Sequence, residues 1–277
     1  IKDHPALHSI CLSNEPIYVD SRECRFTLRR WRRWLRERHG DIETLNRHWR
    51  TSFESFDEIE VPKPELEPEP IYYDWAIFNM ERFAGWHRWM ADIIHEMAPD
   101  LPVHAKIMMW MPFGRREVIW GVDPELFGGL SQINGNDCVK WYARHGEWAN
   151  EWLIENMAYD LQCSVADKPV FNSENHLIPD RYFGDIPPRH IRNVLWQGAV
   201  HGQGATTIWV WERTFSPTSD FAGSIMHRPD CAAEVGRTCL DLNRLSREVT
   251  AIQRLAPQIV LLHSWTSVVY SNAHLDV

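Results

Sequence analysis

Short unbroken apolar runs alternate along the chain with longer stretches in which apolar residues recur every three or four positions. The first pattern suits strands buried on both faces, the second suits helices with one buried face. The first run, HSICLS from His8 to Ser13, ends in Asn14-Glu15-Pro16. Pro16 has no amide to give a sheet, so the strand stops there. A helix is predicted over Arg25–His39, with Leu28, Trp31 and Leu35 on one face and Gly40 as its stop. Asp41 caps a shorter helix carrying Leu45 and Trp49. The stretch VPKPELEPEP at 61–70 is too rich in proline and glutamate for a core element and reads as a solvated loop. A long helix is predicted over Asp74–Met97 and a strand over Val103–Met109, VHAKIMM.

A weaker strand follows near Leu130–Asn134, then a helix over Glu147–Cys163 and a strand, KPVFNS, over Lys168–Ser173 that ends at Glu174. Pro187-Pro188 open a helix that turns Ile191, Val194, Leu195 and Ala199 inward. A strand over Ala205–Val210, ATTIWV, and a helix over Asp230–Leu255 come next. After Pro257, QIVLLHS reads as a strand opening a different domain. Short apolar strands separated by helices predict an α/β fold of parallel β/α units with both sheet faces covered.

The chain is ordinary in apolar content and carries a net charge of −9. That charge argues against nucleic acid and anionic membrane as main partners, because both reward a basic surface. The arginine-rich helix at 25–38 offers a nucleic-acid reading, but the acidic chain and the need for a polar outer face favour a solvated outer helix. The six cysteines lack zinc-site spacing and form no disulfide framework, which favours a reducing, cytoplasmic compartment. The fifteen tryptophans serve either as core packing or as platforms for the apolar face of sugar rings. His104, His176 and His201 have no short ligand spacing, so no metal or cofactor is expected.

Glu15 and Glu174 each follow the end of a short apolar strand. In parallel β/α barrels that edge carries catalytic side chains. Two carboxylates on one rim are what glycoside hydrolysis needs, one protonated and one ionised. A solvated surface residue is the plain alternative for either glutamate alone. Beside them, Asn14 can donate to a sugar hydroxyl, and Trp209 ends a strand where a sugar ring would stack. His176 lies two residues past Glu174. Trp110 either lines an outer sugar subsite or packs in the core, and Glu212 either binds a hydroxyl or pairs with Arg213.

SICLSNEP resembles the fourth-strand motif of the clan A glycoside hydrolases, KPVFNSENH their seventh strand, and WQGAVHGQGATTIWVW their eighth helix and strand. RRWLRERHGDIETLNRHWRTSFESFDEI resembles the region after the acid/base in glycoside hydrolase family 42, and LAPQIVLLHSW resembles that family's passage out of the barrel. The resemblance implies a (β/α)₈ barrel seen from strand four to strand eight over 1–228, a connecting helix over 229–257 and the start of a following domain over 258–277. It implies a retaining β-galactosidase with Glu15 as general acid/base and Glu174 as nucleophile. Asn14 would bind the sugar 2-hydroxyl and Trp209 would floor the subsite of the cleaved sugar. It further implies a carbohydrate substrate and a homotrimer. Related enzymes place a tyrosine near strand six; SQINGNDC has none, leaving Asn134, Asn136 or Asp137 to replace it. Without strands one to three this stretch is expected to fold poorly or be inactive by itself. A non-catalytic glycan-binding relative, or a clan A enzyme for another sugar, are the alternatives.

Overall fold

The computed structural model describes residues 2–18, 21–63, 69–114, 120–138, 153–178, 184–211 and 224–270. The chain divides into two compact units. The first comprises Ile1–Pro16, Ala91–Trp110 and Phe127–Val260, and the second Ile17–Met90, Met111–Leu126 and Leu261–Val277.

The first unit is built on a five-stranded sheet: β1 (Ile10–Asn14), β2 (Val103–Met108), β3 (Asn134–Asp137), β4 (Val170–Asn175) and β5 (Gln203–Ile208). The strands lie in sequence order and every neighbouring pair is parallel. This is the sheet of repeated β/α units that the alternating pattern predicts. Gly135 on β3 makes the packing of β2 against β3 possible. A Cβ there would stand 2.5 Å from the Ala105 carbonyl oxygen and 2.6 Å from the His104 ring.

The ladder is irregular in three places, one of them where Val170 and Phe171 of β4 pair with Gln203 and Ala205, so that one step along β4 matches two along β5. Cys11 and Asn14 pair with His104 and Lys106, so three steps along β1 match two along β2. Asn172 and Asn175 pair with Thr206 and Ile208, so three steps along β4 match two along β5. Each is a bulge with one extra residue, and a bulge re-aims the side chains around it. Asn172 and Asn175 therefore share a face although they are three apart. Ile208, level with Asn175, packs on the apolar cluster of α6 (Pro188–Val200) and α7 (Pro229–Arg244). Glu174, next to Asn175, points to the opposite face. Ile191, Val194, Leu195 and Ala199 of α6 are buried, as their spacing predicts.

The second unit is an aromatic core. On α1 (Arg25–His39) Trp31 and Leu35 are fully buried, joined by Leu45 and Trp49 of α2 (Ile42–Trp49) and by Trp75 and Phe78 of α3 (Pro70–Met97). Trp31 stacks on Trp34 at 5.5 Å and meets Trp75 edge-on at 5.3 Å. These rings take several of the tryptophans out of any sugar-binding role. Three of the α1 arginines pair with acids of the same unit: Arg32 with Glu60, Arg36 with Asp57 and Arg38 with Asp74. Buried Asp74 also receives His39 and the Trp49 indole, which satisfies a carboxylate that would otherwise be costly to bury. Trp31→Ala is expected to destabilise the protein by about 3–5 kcal/mol, the range for deleting a fully buried large aromatic. Urea unfolding measures it, and a change below about 1 kcal/mol would contradict this packing.

Several predicted boundaries move. The strand expected at Leu130–Asn134 lies instead at Asn134–Asp137, and Leu130 ends a helix, α4 (Pro124–Leu130). Asp123 caps α4 by accepting the Glu125 amide at 2.8 Å. Gln132 is drawn onto the start of β2, exchanging hydrogen bonds with Val103 at 2.9 and 3.0 Å. The strand expected to end at Ser173 includes Glu174 and runs to Asn175. The long helix begins at Pro70, four residues before Asp74, with proline in its first turn. The helix expected over Asp230–Leu255 breaks at Leu245 into α7 and α8 (Ser246–Gln253). QIVLLHS forms no strand: Ile259–Leu262 are exposed and lack a sheet neighbour among the described residues, and α9 (Trp265–Tyr270) follows. The predicted start at Glu147 of α5 (Leu153–Val165) lies outside the described residues. Among the described residues no helix is long and apolar enough to cross a membrane.

Candidate active site

Four strand ends of the first unit bring charged side chains to one place. Glu15 stands one residue past β1, Lys106 lies in β2, Asp137 closes β3, and Glu174 sits near the end of β4. His176 follows β4 directly.

Glu15 is held in the left-handed backbone region, with φ 45°. The following Pro16 disfavours the right-handed helical region at this position. A non-glycine residue there carries about 1–3 kcal/mol of strain, a cost typical of functional positions. The Glu15 amide donates to the Lys106 carbonyl at 2.9 Å, which fixes the turn over the end of β2.

Lys106 is the centre of the cluster. Its side chain is 4% exposed, and its amino group contacts the Glu174 carboxylate directly. The same nitrogen lies 3.5 Å from Glu15 Oε1 and 4.0 Å from Asp137 Oδ2. His176 Nε2 lies 3.4 Å from Glu174 Oε1 and 3.7 Å from Asp137 Oδ1. The two glutamates differ in access to water: the Glu15 side chain is 38% exposed and that of Glu174 14%. Burial, together with a hydrogen bond shared with Glu15, pushes the Asp137 carboxyl up to about 7, against the opposing pull of His176 and Lys106.

Asp137, Glu174 and His176 bring ligand-type atoms within 4.8 Å of one another. The Lys106 amino group already supplies positive charge among these carboxylates, so the set reads as an ion-pair cluster. His104 and His201 do not join it. His104 is buried against Phe171 and desolvation lowers its pKa, which favours a neutral ring. His201 bonds Asp160 at 2.8 Å.

Of the other predicted site residues, Trp209 lies with its ring centroid 5.9 Å from that of His176, and its amide donates to Asn175 at 2.9 Å. Asn14 is level with Lys106 in the sheet and therefore on the same face. Trp110 is half-buried two residues past β2 and takes no part in the contacts given above. Glu212 lies outside the described residues. Of the three residues proposed to replace the missing tyrosine, Asp137 reaches the cluster. Asn134 and Asn136 turn to α5 instead, bonding the Gln162 carbonyl at 3.1 Å and the Gln162 side chain at 2.7 Å. A tyrosine does steady β4, but from behind: the Tyr159 hydroxyl accepts from Asn172 at 2.9 Å and donates to Glu155 at 2.8 Å.

Lys106 escaped the sequence reading, although its signal was present. A lysine inside the apolar run VHAKIMM must be buried, and a buried charge needs a partner.

The model of the family described as beta-galactosidase, glycoside hydrolase family 42, matches residues 1–162. The β-galactosidase Pbg of Clostridium perfringens is 24% identical over 95% of this chain and 40% of its own length. The β-galactosidase bgaB of Geobacillus kaustophilus is 30% identical over the same shares. Among solved structures, an exo-carrageenase of family 42 from Bacteroides ovatus is 29% identical with a TM-score of 0.70, over 83% of this chain and 34% of that one. The β-galactosidase of Rahnella sp. R3 has a TM-score of 0.73 at 19% identity, over 96% of this chain and 40% of that one. The sheet and its helices are thus part of a (β/α)₈ barrel, and the chain spans about 40% of the length of the curated relatives it matches. On this evidence the chain belongs to glycoside hydrolase family 42.

Proposed function

We propose that the polypeptide carrying this chain hydrolyses terminal β-galactosides by double displacement, with Glu174 as nucleophile and Glu15 as general acid/base. The observation that carries this reading is the convergence of both carboxylates, from the ends of β1 and β4, on one lysine nitrogen of β2. Two carboxyl groups that share a cation stand close together, which suits the roughly 5–5.5 Å separation of retaining enzymes better than the wider inverting arrangement. Enclosure beside Lys106 suits Glu174 to act as an ionised nucleophile. Exposure suits Glu15 to protonate the leaving oxygen and then to activate an incoming water. Trp209 floors the subsite and Asn14 binds the sugar 2-hydroxyl.

A 2-deoxy-2-fluoro-galactosyl fluoride tests this directly, because the fluorine slows release of the covalent intermediate. With the full natural polypeptide, intact mass should rise by one fluorogalactosyl group, and peptide mapping should place it on Glu174. A label on another carboxylate, or hydrolysis of aryl β-galactosides with inverted product, would overturn the assignment. A second reading, a galactan-cleaving enzyme of the same mechanism, draws on the exo-carrageenase relative, the more similar of the two structures in sequence. Oligosaccharides of carrageenan and aryl galactosides, assayed in parallel, separate the two readings.

A further inference from the structure

We propose that Lys106 is a positioning residue for the nucleophile: its ammonium holds the Glu174 carboxylate ionised and aimed at the sugar's anomeric carbon. The proposal rests on the assignment of Glu174 above.

Among the described residues, the charged and titratable groups gathered around Glu174 come from four strand ends: Glu15 after β1, Lys106 in β2, Asp137 in β3 and His176 after β4. Among them Lys106 alone carries a permanent positive charge, set against three carboxylates. Its burial means that water does not screen the pair, so its effect on Glu174 is large. Lys106 lies within a strand bonded on both sides, which gives a less mobile anchor than a loop residue would. Asp137, 4.0 Å away, in turn restrains the amino group. A carboxylate held in this way keeps one oxygen on the lysine and presents the other for attack. As the glycosyl ester forms, Glu174 loses its negative charge. The ammonium is then left to Asp137 and Glu15, and returns to Glu174 when water releases the sugar.

The test uses Lys106→Met and Lys106→Arg in the full natural polypeptide, with thermal melting to verify folding. Lys106→Met should lower kcat on the order of 10²–10³-fold, the scale for removing one preorganised electrostatic group. KM should change by less than about threefold, because the loss falls on the reacting state. Small primary ammonium ions should restore part of the rate in Lys106→Met in proportion to their concentration. Lys106→Arg should keep more activity than Lys106→Met. A purely structural lysine would show neither rescue.

A second readout needs no turnover. Carbodiimide modifies protonated carboxyls, and peptide mapping across a pH series gives the midpoint for Glu174. That midpoint should rise by about one unit or more in Lys106→Met, since an opposite charge in contact has been removed. An unchanged midpoint, or unchanged kcat, overturns the proposal. If the wild-type polypeptide takes no fluorogalactosyl label, the galactosidase reading fails, while the modification midpoint still decides whether Lys106 governs Glu174.

Discussion

Replacing Glu174 by alanine should lower turnover of aryl β-galactosides by on the order of 10⁴-fold or more, the scale of losing a member of a covalent catalytic set. The residual rate should rise with added azide. Azide enters the space left by the side chain and attacks the anomeric carbon from the same side as the lost carboxylate. With Glu15 still present to protonate the leaving oxygen, the product is the α-galactosyl azide, inverted relative to substrate. Proton NMR of the product reads the configuration. The substitution also removes one of the carboxylates that pair with Lys106, leaving the ammonium to Glu15 and Asp137. The fold should therefore persist and the loss should be chemical. Undiminished turnover in Glu174→Ala would end the assignment.

Glu15→Ala should cost about 10²–10⁴-fold, the usual contribution of one general acid/base. The loss should depend on the leaving group, which distinguishes it from the nucleophile variant. A dinitrophenolate leaves without protonation, so formation of the glycosyl ester should be nearly normal and its hydrolysis slow. A burst followed by a slow steady state is the expected time course. Azide should accelerate the second step and give the β-galactosyl azide, with configuration retained. Opposite azide configurations from the two variants would fix both roles in one pair of experiments. Because Glu15 sits at φ 45°, its replacement by alanine keeps the backbone strain and should leave stability near that of the parent.

The parts of the fold that bury apolar faces were legible in the chain. α1, β2 and α6 follow from spacing alone, because Trp31 and Leu35, Val103 to Met108, and Ile191, Val194 and Leu195 are there to be buried. β3 was misplaced because its four residues, NGND, are polar and all buried, so no hydrophobic run marks it. Its asparagine side-chain amides donate to Gln162 and its aspartate faces Lys106, contacts that only the assembled sheet supplies. QIVLLHS was misread for the converse reason: an apolar run is a strand only where another strand can pair with it. At the site, the two glutamates were visible because each closes an apolar run before a loop. Lys106 is hidden inside a run that reads as an apolar strand, and its three acidic neighbours come from distant segments.

The extra residue carried by each glutamate-bearing strand has a consequence for how this site can change over time. In a regular β4, Glu174 would lie on the opposite face from the one it now occupies relative to Asn172. Straightening β4 without shortening it would therefore carry the carboxylate to the helix side, whereas losing one residue between Asn172 and Glu174 would restore regular alternation with Glu174 still opposite Asn172. β1 stands in the same position just before Glu15. Substitutions along these strands can drift only while the extra residue stays bulged, because a ladder that absorbs it re-aims the side chains that follow. These two bulges are thus places where a more regular sheet, which stability favours, and the present aim of the side chains, which activity favours, pull in opposite directions.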